Sequence, residues 1–195
     1  MAGFIYYDGA FRKRALDWFA TILKPGGLFL CGMNQFRSTE CRYTVYRNES
    51  DGLVGKEFAF SLDNLRPLTF AAWYALHEDE HDVRALVEAV KVVRTDSNFV
   101  HDYDARLDEL MAERGIFQRE PDGYLSYQAQ KMPAPELEGG VAQVCEQLDQ
   151  DGFVEGAAEV LQRAGLDAWR NRVGHIGVAP SSMRIPRVAH RQPSS

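Results

Sequence analysis

Residues 3–7, Gly-Phe-Ile-Tyr-Tyr, are a short aromatic and β-branched run without alternation, the pattern of a buried strand end. Asp8 follows at a helix start, and apolar positions at Phe11, Ala15, Trp18, Phe19 and Ile22 mark one face of a helix reaching about Leu23. Arg12, Lys13, Arg14 and Asp17 fall on the opposite face. Pro25 stops the helix and Gly26-Gly27 supply a left-handed turn. Residues 28–33, Leu-Phe-Leu-Cys-Gly-Met, are a second apolar run without polar alternation, which predicts a strand covered on both faces. Strand, helix and strand with this crossover length read as a parallel βαβ unit. The first strand has no partner before it in the chain, so its sheet neighbours are expected upstream of Met1, in a longer reading frame or in another chain.

Further on, residues 41–47 and 53–61 read as strands joined by the turn-rich Asn48 to Gly52, an antiparallel hairpin appended to the sheet. Pro67 breaks a mixed segment, and the acidic tract 78–82 reads as a solvated turn. Val83, Leu86, Val87, Val90 and Val93 then share one helical face. Phe99, Tyr103, Leu107, Leu110 and Met111 share another, closed by Gly115. Residues 122–128 suit a last edge strand. The proline- and glycine-rich stretch 131–140 is the clearest border. It divides the chain into 1–130, a small helical segment 131–178, and a basic, proline- and serine-rich tail 179–195 expected to be disordered.

Composition narrows the function. The 195 residues are 45% hydrophobic and 26% charged, enough for a core and ordinary for a globular protein. A net charge of −6 argues against a broad electrostatic grip on nucleic acid. No run approaches a membrane span, and the N-terminus lacks a basic-then-apolar signal pattern, so the expectation is a cytoplasmic chain with no membrane partner. Cys31, Cys41 and Cys145 fit neither a disulfide framework nor a zinc spacing and read as small buried hydrophobes.

The ordered set Ile5-Tyr6-Tyr7-Asp8, Arg12-Lys13-Arg14, Leu23 to Gly27 and a strand ending at Gly32 resembles the latter part of the catalytic domain of class I S-adenosylmethionine-dependent methyltransferases. The CheR-like branch is the most similar, and residues 42–47 resemble the late strand that closes that family's sheet. The match covers roughly the first quarter of the chain. It implies an α/β fold: a partial Rossmann-like methyltransferase sheet, the C-terminal half, with an appended helical region. The family's Arg-Asn pair would fall on Met1-Ala2. Its first strand, glycine-rich loop and ribose-binding acid have no counterpart here, since Gly26-Gly27 follow a helix instead of opening one. The resemblance thus implies S-adenosylmethionine as cofactor, with weak or absent binding by this chain alone. It implies an unidentified methyl acceptor, and a partner chain that could complete the sheet. The alternative is a non-catalytic accessory or interaction protein that keeps half the fold.

The same resemblance makes Tyr6 the candidate catalytic residue, a hydroxyl that orients the acceptor beside the transferred methyl, with Tyr7 next to it at the end of a central strand. Asp8 is a helix cap by its position. Asn34, Gln35 and Arg37 follow the second strand on the same side and are candidate substrate contacts. His77 and His81 would share a helix face, but a solvated acidic turn explains residues 77–81 better than a metal site does. Asp149, Asp151 and Gly152 sit at calcium-loop positions. With Gln147 at position one and Ala158 at position twelve the bidentate carboxylate is missing, and a capped turn between two helices accounts for the pattern.

Overall fold

The computed structural model describes residues 9–34, 41–65, 81–119, 125–127 and 132–182. In chain order these form α1 (Gly9–Ile22), β1 (Leu28–Asn34), β2 (Cys41–Glu49) and β3 (Gly52–Phe60), then α2 (His81–Thr95) and α3 (Ser97–Glu113). A small hairpin follows, β4 (Phe117–Arg119) and β5 (Leu125–Tyr127), then α4 (Ala134–Gln150), α5 (Phe153–Arg163), β6 (Ala168–Arg170) and β7 (Ile176–Val178). The class is α/β, as expected. The main sheet has five strands in the order β1-β2-β3-β7-β6, and every neighbouring pair is antiparallel. The parallel pairing expected of residues 3–7 with β1 lies outside the described residues.

The hairpin β2–β3 stands where the alternating pattern put it, with Gly52 at φ 108° closing its turn. Its register shifts between Val45 and Tyr46, which face Glu57 and Gly55, so Lys56 is an extra, bulged residue. The register also sorts the two faces of the sheet. Arg42 opposes Phe60 and Thr44 opposes Phe58, while Phe58 and Phe60 oppose Val178 and Ile176. This inner face is buried under the helices. Phe58, Phe60, Val93, Leu110, Leu161 and Ile176 belong to one continuous apolar cluster that also takes in Val144 and Leu148 of α4. The described part of 132–182 therefore shares its core with what precedes it.

Helix α1 covers the β1–β2 end of the same face. Phe19 stacks on Phe29 at 4.3 Å between ring centres, and Phe29 meets Tyr46. Asn48, buried on β2, donates its side-chain amide to the carbonyls of Ala20 (3.0 Å) and Leu23 (2.8 Å), satisfying two of the acceptors a helix end leaves open. The apolar face expected of this helix is only half used: Ala15 and Phe19 turn inward, but Trp18 and Ile22 are 57% and 56% exposed. β1 departs from expectation too. Phe29 and Cys31 share the inner face with Tyr46 and Thr44, whereas Leu28 and Leu30 project from the outer face and are 66% and 62% exposed. No described element lies over them, so the strand is covered on one face instead of two.

The described part of the expected last edge strand, Leu125–Tyr127, does not extend the main sheet but pairs with Phe117–Arg119 in a separate two-stranded sheet. Pro180–Ser182, at the start of the expected tail, forms a 3-10 turn against β3, with Pro180 beside Gly55. No helix among the described residues is long and apolar enough to cross a membrane.

Candidate functional site

Most of the residues singled out by resemblance fall outside the described residues: Tyr6, Tyr7, Asp8, Gln35 and Arg37. Asn34 is the last residue of β1, with its backbone in register with Cys41. His77 also lies outside, and among the described residues no group of three His, Cys, Asp or Glu stands close enough to hold a metal ion. The acidic pair at the C-terminal end of α4 is engaged in ion pairs: Asp149, in its last turn, binds Arg170 at 2.6 Å, and Asp151, just after it, binds Arg106 at 2.7 Å. Gly152 takes the left-handed conformation before α5, so this stretch is a turn between two helices.

A class I methyltransferase cofactor site needs a strand that runs into a glycine-rich turn opening a helix, with an acid for the ribose hydroxyls. Among the described residues Gly26-Gly27 close α1 and lead into β1, the reverse order. Gly26 and Gly27 are tied to the backbone of Asn48 by hydrogen bonds of 2.7 and 2.8 Å. The described residues do not fit S-adenosylmethionine.

A different constellation forms on the outer face, where β2 and β3 meet the β6–β7 turn. Asn171 organises it. The Asn171 backbone N–H donates to the His175 carbonyl (2.9 Å), and the Asn171 side-chain oxygen accepts from the N–H groups of Val173 (3.1 Å) and His175 (3.0 Å). Such self-satisfied turns are a common use of Asn. With its oxygen occupied, the amide directs its Nδ2 across the sheet, donating to the Tyr43 hydroxyl at 2.8 Å and to Glu57 Oε1 at 2.7 Å. The Tyr43 and His175 rings are 5.8 Å apart.

Two small residues, Ala59 and Gly177, form the middle of the floor beneath, between two aromatic ones. Tyr43, Ala59, Gly177 and Trp169 follow one another across four strands. A Cβ on Gly177 would stand 2.8 Å from the Trp169 indole and 3.0 Å from Glu57 Oε1, so only glycine lets both groups rest on β7.

Burial sets the protonation states. It raises the Tyr43 phenol above its ordinary value; the Asn171 hydrogen bond opposes this, and the charges of Glu57 and Cys41 add to it. Burial lowers His175, against the opposing pull of Glu57 and Asp149. The His175 Nδ1 is buried and makes no hydrogen bond among the described residues. A phenol and an imidazole both held toward their neutral forms thus stand with the Glu57 side chain at one place on the sheet, able to donate and accept hydrogen bonds.

Sequence reasoning missed this cluster. Its partial signals were the charged Lys56-Glu57 pair inside a strand that otherwise reads apolar, and Gly174 marking a turn before Ile176. Comparison of the chain with models of known families, with characterised proteins and with solved structures finds no match.

Proposed function

We propose that this chain is the C-terminal portion of a class I S-adenosylmethionine-dependent methyltransferase fold of the CheR-like branch, acting on an unidentified acceptor once a cofactor-binding portion completes it. The observation that carries the reading is the border formed by α1 and β1. Trp18 and Ile22 in the helical layer are largely exposed, and no described strand pairs with the outer edge of β1. Among the described residues, helix and strand thus both lack a neighbour on the side where the resemblance puts residues 3–7 and the rest of a sheet with its helices. Exposed apolar surface next to an open strand edge is the usual mark of a missing partner. Tyr6 remains the residue proposed to orient the acceptor, with Tyr7, Asn34, Gln35 and Arg37 around it.

Titration calorimetry with S-adenosylmethionine tests this. The chain alone is expected to bind weakly or not at all. Joined to a segment carrying a strand, a glycine-rich turn and a helix of the same family, it is expected to bind and to bury Trp18. A micromolar constant for the chain alone overturns the reading.

A second reading, a non-catalytic accessory protein that keeps half the fold, is favoured by the wholly antiparallel pairing of the described sheet. It predicts that the completed assembly binds a partner but transfers no methyl group from labelled cofactor.

A further inference from the structure

The outer face of the hairpin carries two neighbouring cross-strand rows, Leu30–Val45–Glu57 and Leu28–Arg47–Val54. Leu28 and Leu30 stand largely in solvent. Each row also holds one charge, and among the described residues neither charge is in an ion pair. Glu57 accepts only the neutral amide of Asn171, and no hydrogen bond or ion pair engages the exposed Arg47 side chain among the described residues. The nearby Lys56 is already paired with Glu49 at 2.5 Å. Glu57 and Arg47 do not neutralise each other because each is drawn away. Glu57 Oε1 is held over Gly177, and the Arg47 guanidinium lies over the Gly26 turn, with Nη2 3.8 Å from where a Cβ on that glycine would be.

An apolar strip flanked by one unpaired negative and one unpaired positive charge is complementary to itself. We infer that this face is an isologous interface between two copies of the chain, with Glu57 of each copy paired to Arg47 of the other. A two-fold axis that sets these charges opposite each other also brings Val45 and Leu30 of one copy against Val45 and Leu30 of the second, given the regular spacing of paired strands. Two sheets would then pack face to face, covering Leu28 and Leu30 and closing both charge pairs away from water. The inference does not rest on the methyltransferase reading, which concerns the β1 edge and the side of α1.

Sedimentation equilibrium on the full chain, with circular dichroism to verify folding, reads the outcome. The unaltered chain is expected to be a dimer. Glu57→Arg alone and Arg47→Glu alone each set like charges together and are expected to weaken dimerisation by at least about tenfold. In an equimolar mixture of the two variants, positions 47 and 57 are both positive on one chain and both negative on the other. That mixture is expected to regain the dimer as a heterodimer. A monomeric unaltered chain overturns the inference, as would occur if a different protein or segment covers this face. So does a dimer that survives both reversals, or a mixture of folded variants that stays monomeric.

Discussion

Tyr103 of α3 donates its hydroxyl to the backbone carbonyl of Leu62 at 3.1 Å, joining the helical layer to the 3-10 turn that follows β3. Both groups are buried, and the Tyr103 ring lies between a stacked Phe99 and an edge-on Phe153. Tyr103→Phe keeps that packing but removes the side-chain donor that ties the Leu62 carbonyl to α3, so it is expected to cost about 1 kcal/mol in urea unfolding with an unchanged slope. Phe153→Ala removes packing as well and should cost more, about 3–5 kcal/mol.

Asn48 ends α1 through two donated hydrogen bonds. Asn48→Ala is expected to lower stability by about 1–3 kcal/mol, since two carbonyls lose a buried donor. Asn48→Asp should be worse, because a carboxylate would then face those same carbonyls at the negative end of the helix. If Asp proves the milder change, the amide is not the cap described here.

Gly177→Ala puts a methyl group within 2.8 Å of the Trp169 indole. The ring must lift from β7, with an expected loss of about 1–3 kcal/mol and a red-shifted indole emission. Trp18→Phe and Trp73→Phe in the background isolate the signal.

His175 links stability to pH. Its folded-state pKa is depressed, chiefly by burial, so the unfolded chain takes up a proton first as the solution is acidified. The contribution is complete above the ordinary histidine value and is lost as pH falls through the lowered one. Melting temperature should therefore drop as pH falls through and below the ordinary histidine range, and His175→Gln should flatten that fall. The lowered carboxyls of Asp96 and Asp151 act in a more acidic window, since their contributions disappear only as pH falls through the carboxylate range. Tyr43 works at the other end: its raised phenol stabilises the fold below its ordinary value, and that contribution is lost as pH rises through the raised one.

Periodicity made the long elements legible. Seven-residue and nine-residue strands and helices of fourteen or more residues carry enough apolar repeats to declare their type, and α1, β1, the β2–β3 hairpin, α2 and α3 stand where the pattern put them. β6 and β7 hold three residues each, too few for a period, and Gly177 interrupts the second. Which side of α1 is covered was not legible either, because Phe19 and Trp18 are equally apolar and only the position of Phe29 separates them. The Tyr43–Asn171 contact spans 128 positions, and no local pattern announces a pairing of that reach. The residues marked by resemblance are a separate matter, since Tyr6 and its neighbours lie outside the described residues.

The placement of β7 between β3 and β6 also orders the birth of the protein. Phe58 and Phe60 are made more than a hundred residues before their sheet partners Val178 and Ile176. Until then the hairpin must wait with one edge and its largest aromatic side chains uncovered, and a ribosome stalled anywhere before residue 176 releases a chain that cannot close its central seam. Trimming a few residues from the C-terminal side of β7 would therefore harm this protein more than a cut of equal length in an exposed loop.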